Sequence, residues 1–364
     1  MKTLEIHKDN KKIYDILLDR SYDGLLNKME QLNIRGRRIC IITDSHVAPL
    51  YLAEIEALCQ QIGSHVIHFI FEAGESSKNL TVIEKIYERL IQAKFDRNDV
   101  LIALGGGVTG DMTGFAAATY LRGIRFIQLP TTLLAQVDSS IGGKTGVDFQ
   151  QYKNMVGAFH QPILVYMNLK TLDTLDTRQF NAGMAEVIKH GLIKNRDYFN
   201  WIRNNHEKIS AKDYSSLEYM IYESCLVKGH VVEIDPLEKG ERALLNFGHT
   251  IGHAVEKLKN FEWLHGECVA LGSIAASAIS LKKNKISQNS YNEIIDLFRM
   301  FNLPITVTNL KKDAILEATK SDKKMDGGHV KFILLNEIGD AYIDRTLSDE
   351  EITSGIGACS GEIS

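Results

Sequence analysis

The sequence is poor in the residues that break structure and in those that hold it together covalently. Only five prolines occur in 364 residues, and no stretch is dominated by glycine, serine or proline, which excludes a long linker or a low-complexity tail. Five cysteines, Cys40, Cys59, Cys225, Cys268 and Cys359, are scattered without a C-x-x-C pair. A disulfide framework is excluded, and a reducing compartment, the cytoplasm, is expected. No apolar run reaches the ~18–20 residues that span a bilayer, and the opening MKTLEIHKDN lacks the apolar core of a secretion signal. A net charge of -4 without any Lys/Arg-dense run gives no footprint for nucleic acid or an anionic membrane. A small-molecule partner is expected.

What is present alternates in its first half between β-branched runs and helical periods, the pattern of βαβ units and a mostly parallel sheet. Strands are predicted at 38–43 (RICIIT), 65–71 (HVIHFIF), 100–104 (VLIAL) and 124–129 (IRFIQL), helices at 49–62 and 79–93, and a hairpin pairing 3–6 with 12–17. Beyond about Thr174 helical patterns take over, at 178–194, 214–231, 246–259 and 266–283, with a small surface hairpin pairing 330–335 with 341–343. The length favours two domains. These are an α/β domain over 1–175, with a Rossmann-like, mostly parallel sheet, and a mainly α-helical domain over 176–364.

Gly105-Gly106-Gly107-Val108-Thr109-Gly110 follows an apolar strand and opens a helical pattern over 112–120, so it satisfies G-x-G-x-x-G in its proper context. Glycine there lets backbone N–H groups reach a pyrophosphate, and the tight turn is expected to need unusual φ/ψ. The helix that follows offers a positive N-terminal end to an anion. The same glycines would also serve a tight βα turn that binds nothing. The carboxylate expected some twenty residues on, to hold a ribose, is missing between Arg125 and Thr132. Asp44, closing RICIITD, stands as a substitute or as a helix cap.

His249 and His253, four apart in NFGHTIGH, project from one helical face. His265 follows in LHGE, and Glu186 and Lys189 share a face in GMAEVIKHG. Two histidines and a glutamate form a catalytic zinc set with an open position, and spacing alone selects His249 and His253. The same histidines could simply cap helices or satisfy buried partners; glycines beside every member add weight to a ligand, because they let a backbone or a ligand approach. Lys144, Lys153, Asn154, Lys189, Lys228, Arg242 and the Lys323-Lys324 pair lie in glycine-rich or apolar surroundings. Any one lysine belongs to solvent by default. Together they suggest a pocket for a substrate carrying phosphate and carboxylate.

With GGGVTGD, LPTTLLAQVDSSIGGKTGV, GMAEVIKHG, RALLNFGHTIGHAVE and LHGE on the page, the chain resembles the 3-dehydroquinate synthases of the sugar-phosphate cyclase superfamily, over nearly its whole length. The resemblance implies zinc, with cobalt as a substitute, on Glu186, His249 and His265, leaving His253 to the substrate. It implies NAD on Asp44 and His46, on Glu75 and Lys78 of GESSK, on Gly106, Gly107, Val108 and Asp111, on Thr131 and Thr132, and on the turn from Thr171 to Thr174. Substrate contacts are implied for Asp138, Lys144, Asn154, Lys189, Lys228, Arg242, Asn246, His253 and either Lys323 or Lys324. Lys144 and Lys153 would lie close to both ligands, and Arg122 would reach in from the other subunit of a homodimer. Asn168 stands where the family commonly has aspartate, and Asp176-Thr177 replaces prolines. Glu267, beside a metal ligand, reads as a support for the site or as a solvated helix-start carboxylate.

The implied reaction takes 3-deoxy-D-arabino-heptulosonate 7-phosphate to 3-dehydroquinate. NAD oxidises an alcohol that the metal polarises, the new ketone acidifies the neighbouring C–H so that phosphate leaves, and hydride return, ring opening and aldol closure follow. Rival readings are another cyclase of the superfamily, a metal-dependent polyol dehydrogenase that releases NADH, and an NAD-binding regulatory paralogue without activity.

Overall fold

The computed structural model describes residues 1–150, 152–238, 240–323 and 331–361. The chain divides into two compact units, Met1–Leu175 and Asp176–Ser364.

The first unit opens with a hairpin, β1 (Lys2–Lys8) and β2 (Lys11–Asp19), followed by α1 (Leu25–Gln31), β3 (Arg38–Asp44), α2 (Ala53–Gln60) and β4 (His65–Phe71). Then come α3 (Leu80–Gln92), β5 (Val100–Gly105), α4 (Gly107–Thr119), β6 (Arg125–Pro130), β7 (Lys144–Phe149), β8 (Tyr152–Phe159) and β9 (Leu164–Asn168). Seven strands form one sheet in the order β1-β2-β9-β6-β5-β3-β4, and β7 and β8 pair separately. All pairings of the large sheet are parallel except β1 with β2. β5 is buried along its whole length, as a strand covered on both faces by helices must be. α3 shows why the helices form where they do. The Asn79 side chain accepts from Val82 N, and Ile83, Ile86 and Leu90 recur on the buried face.

The order places the site. From β3 the chain moves to one side, to β4; from β5 it moves to the other, to β6 and β9. The crevice outside the carboxyl ends of β3 and β5 is therefore a topological switch point, where open α/β sheets hold their ligands. Asp44 ends β3 and Gly105 ends β5.

The second unit contains α5 (Thr177–Lys194), α6 (Arg196–Asn204), α7 (His206–Ser210), α8 (Tyr214–Ile234), α9 (His249–Leu258), α10 (His265–Lys282), α11 (Gln288–Met300) and α12 (Lys312–Lys323), then β10 (Phe332–Glu337), β11 (Asp340–Asp344) and α13 (Asp349–Ala358). α10 is its axis, packed by α5, α9, α13 and β10 and buried around its circumference, as an all-round apolar helix should be. The late hairpin is not a surface feature. Phe332, Ile333, Leu334 and Leu335 are buried, and Leu335 N donates to Ser280 Oγ of α10 at 3.0 Å; Val330, included in that expectation, lies outside the described residues. The helix expected over 246–259 begins at His249, because a short 3-10 segment, Glu241–Asn246, precedes it and Gly248 turns the chain at φ +80°.

Candidate active site

At the switch point the glycines serve close approach and not unusual torsions. None of Gly105, Gly106, Gly107 and Gly110 has positive φ, which corrects the expectation of a strained turn. A Cβ on Gly105 would overlap Thr109, one on Gly106 would meet Thr132 Cγ2 at 3.1 Å, and one on Gly107 would meet Ser139 Oγ at 3.0 Å. The glycines thus bring the α4 N-terminus against the segment that carries Thr131, Thr132 and Asp138, and Thr131 N donates to Gly105 O at 3.0 Å. Gly107 and Val108 form the first turn of α4, whose leading N–H groups have no helical acceptor. Asp44 is committed locally. Its Oδ1 accepts from the backbone N of His46 and Val47 at 2.9 and 3.0 Å, and Thr109 Oγ1 donates to its Oδ2 at 3.2 Å. That Asx turn does the work of a cap and leaves the His46 side chain exposed.

Beside the loop, Lys78 is 5 % exposed and donates to Asp111 Oδ2 at 2.7 Å and to Asn154 Oδ1 at 2.6 Å. Asn154 sits in the left-handed region at φ 54°, held by its own N–H on Asp148 Oδ1 at 2.8 Å. Lys153 Nζ lies 3.4 Å from Glu75 Oε1. One buried lysine therefore ties together a residue assigned to cofactor and one assigned to substrate. Asp148, which holds the strained Asn154, carried no sequence motif and went unread. Lys144 is exposed at the start of β7, and Arg122 is exposed with φ 67°. Thr171 is buried, donating to Asn168 O and accepting from Gln136 Nε2, while Thr174 meets Tyr51. Asn168 accepts from Lys170 N and Asp176 caps α5, so both departures from the family pattern are turn-forming residues.

In the helical unit, glycines set the helix spacing. A Cβ on Gly272 would overlap Gly248 O, one on Gly266 would overlap Ala182 O, and one on Gly252 would stand 2.9 Å from Cys268 O. With no Cβ at these points α5, α9 and α10 close together, and Glu186, His249 and His265 converge. His249 Nε2 and His265 Nε2 lie 3.7 and 3.8 Å from Glu186 Oε1. Nitrogens of His249, His253 and His265 also fall within 4.8 Å of one another, so the three rings converge. Glu186 is 0 % exposed, with Lys189 Nζ against Oε2, yet neither oxygen accepts a hydrogen bond of good geometry. A buried carboxylate left so is costly unless a cation completes it. Burial, and then the charge of Lys189, hold His249 well below the ordinary histidine range, which favours the neutral ring that ligates metal. These donors fit zinc.

Lys189, Lys228 and Arg242 are buried. Arg242 donates to Pro236 O at 2.7 Å, and Asn246 Nδ2 to Glu238 Oε1 at 2.7 Å. Glu267 serves the helix start. It receives Arg178 through both oxygens at 2.6 and 2.8 Å and closes the α10 N-terminus by accepting from Leu264 N at 2.8 Å. The buried Glu256, three residues after His253, lies by His265 instead; it closes the RALLNFGHTIGHAVE stretch, but nothing in its spacing points to His265. Lys323 ends α12, and Lys324 lies outside the described residues.

The fold defines a class: a mostly parallel α/β unit followed by a helical unit, the fold of solved sugar-phosphate cyclases and, at lower identity, of dehydrogenases. The 2-epi-5-epi-valiolone synthase of Streptomyces hygroscopicus subsp. jinggangensis, solved with NAD+ and Zn2+, is similar over 97 % of this chain and 98 % of its own, at TM-score 0.87 and 24 % identity. A 2-deoxy-scyllo-inosose synthase, solved with carbaglucose-6-phosphate, NAD+ and Co2+, gives 0.86 at 25 % identity over 98 % and 99 %. A probable glycerol dehydrogenase from Sinorhizobium meliloti gives 0.66 at 16 % over 94 % and 96 %. Within that class the chain belongs to the 3-dehydroquinate synthase family. Residues 68–182 match the family's N-terminal model and 183–325 its C-terminal model. The 3-dehydroquinate synthase of Ruminiclostridium cellulolyticum is 43 % identical, covering 87 % of this chain and 88 % of the relative, and that of Acetivibrio thermocellus is 42 % identical over 96 % and 97 %. The family makes the chain a phosphate-eliminating lyase of the shikimate pathway.

Proposed function

We propose that the chain converts 3-deoxy-D-arabino-heptulosonate 7-phosphate into 3-dehydroquinate and phosphate, using NAD and one divalent metal, zinc or cobalt, held by Glu186, His249 and His265. The observation that carries this is the approach of both Nε2 atoms to the same buried oxygen, Glu186 Oε1. The neighbouring cyclases, which bind NAD+ with Zn2+ or Co2+, support the same cofactors. His253, exposed and beside the other two rings, is left for the substrate.

The 1–175 unit would hold NAD, with the pyrophosphate at the α4 N-terminus, and 176–364 the metal. When bound, NAD supplies a reversible hydride acceptor and the metal a Lewis acid. The protein's own groups do the rest. Lys189, Lys228 and Arg242 are fixed before substrate arrives, so they neutralise phosphate and carboxylate without reorganising. Lys144, Lys153, Asn154 and Asp138 orient the sugar acid, Asn246 and Lys324 complete its contacts, and the Lys78 hydrogen bond keeps Asn154 in place. Metal-stripped protein given the heptulosonate phosphate should release phosphate only when NAD and zinc are both restored, with no net NADH. No release in the complete mixture overturns the proposal, and NADH accumulating with glycerol favours the dehydrogenase reading.

The chain is also proposed to act as a homodimer in which Arg122 serves the other subunit, in the reducing cytoplasm. Exposed Leu121, Met155 and Phe159 and five free, buried cysteines support these readings. Light scattering tests the first; a monomer at working concentration sinks it.

A further inference from the structure

His265 stands between two carboxylates. Its Nε2 lies 3.8 Å from Glu186 Oε1, and its Nδ1 lies 3.6 Å from Glu256 Oε2. The Glu256 side chain is 4 % exposed, and an ionised carboxylate so far from water is tolerated where positive charge or N–H faces it. We infer that Glu256 is a positioning residue for the metal: it fixes His265 as the Nδ1–H tautomer and aims Nε2 at the cation. The inference rests on the ligand set proposed above.

A neutral imidazole has one donor and one acceptor nitrogen, and only the acceptor can bind a metal. At 3.6 Å the contact is longer than a hydrogen bond, so Glu256 acts through its field. A buried carboxylate attracts an N–H and repels a lone pair, and low polarity strengthens both effects. Glu186 Oε1 pulls on Nε2 in the same way at 3.8 Å, but a metal there would satisfy Glu186, so Glu256 alone would hold the remaining proton on Nδ1 and leave Nε2 to the metal.

His249 reaches the same state by another route. Its Nδ1 is 3.1 Å from Phe247 O; a carbonyl only accepts, so Nδ1 carries the proton and Nε2 turns to Glu186. One ring is thus backed by a backbone dipole and the other by a full charge.

The arrangement is built into α9. Glu256 falls seven residues after His249 and three after His253, on one helical face. The helix that supplies one ligand therefore carries the support of the next. Gly252 lets α10 close on that helix.

The test is zinc affinity of the full chain, measured by competition with a chromogenic chelator. Glu256→Gln, of matching shape, is expected to bind zinc roughly tenfold more weakly, and Glu256→Leu roughly 100-fold. Circular dichroism and thermal unfolding of the metal-free variants serve as fold controls. If the Leu variant does not fold, the Gln variant carries the result. In zinc-loaded wild-type protein, nitrogen-resolved imidazole spectra should show His265 protonated on Nδ1 with Nε2 on the metal, and Glu256→Gln should shift the Nδ1–H resonance. Wild-type affinity in both variants, or a zinc-loaded wild type in which His265 Nδ1 carries no proton, overturns the inference. Glu186→Gln and His265→Ala separate the two layers. If these also keep wild-type affinity, the ligand set itself is wrong; if they lose zinc while Glu256→Gln does not, only the role of Glu256 falls.

Discussion

At the scale of single residues, the choice between His253 and His265 as second imidazole ligand turns on direction and not on proximity. All three rings are near one another, but His249 and His265 present Nε2 to Glu186 Oε1. His249→Ala is therefore expected to lose metal and activity together, and His253→Ala to keep the metal while losing turnover; metal analysis of both purified variants decides it, and equal loss restores the choice that spacing suggests. Lys78 offers a second test. Replacing it with methionine leaves Asp111 and Asn154 without their donor, at a cost of about 3 kcal/mol for a largely buried pair broken on one side. Calorimetry should record a fall in Tm of roughly 6–10 °C, and titration should record weaker NAD binding. An unchanged Tm would show that the pair is effectively solvated.

At the scale of elements, the helix contacts decide whether a metal site exists at all. Gly272→Ala places a methyl group into Gly248 O. Overpacking of this kind costs about 1–3 kcal/mol, and because α9 and α10 must separate, zinc affinity should fall with stability. Loss of stability with unchanged affinity would mean that the ligands re-form around the strain. The sequence made Gly248, Gly252 and Gly266 visible as companions of the histidines without showing which backbone they faced, and gave no sign of Gly272. Other elements were illegible for physical reasons. β7 and β8, KTGVDF and YKNMVGAF, carry interior glycines and little alternation, so period-two reading passes over them. β9, LVYMN, is a short run buried throughout, and without it the opening hairpin has no partner, since β2 joins the sheet through β9. Asp44 was legible as a residue, but its meaning came from strand order: two strand ends become neighbours at a switch point only once the sheet is assembled. Glu256 and Asp148 act through contacts that no local pattern encodes.

At the scale of the whole molecule, the residues proposed for the cofactor and those proposed for the metal lie in different units. Glu186, His249 and His265 all come from Asp176–Ser364, and the glycine loop with Asp44 and Lys78 from Met1–Leu175. Metal-stripped protein is accordingly expected to retain NAD binding with unchanged stoichiometry in calorimetric titration, and a loss of NAD binding with the metal would show the two sites to be interdependent. The cysteines have a further use. All five are free and buried, and burial pushes the thiols of Cys40, Cys59, Cys225 and Cys359 up to about 12, leaving almost no thiolate to react. The wild-type chain is thus a natural blank for thiol-directed dyes. One cysteine added to the surface of each unit would carry a fluorophore pair with no native thiol removed, so the spacing of the units could be followed by energy transfer while the enzyme turns over.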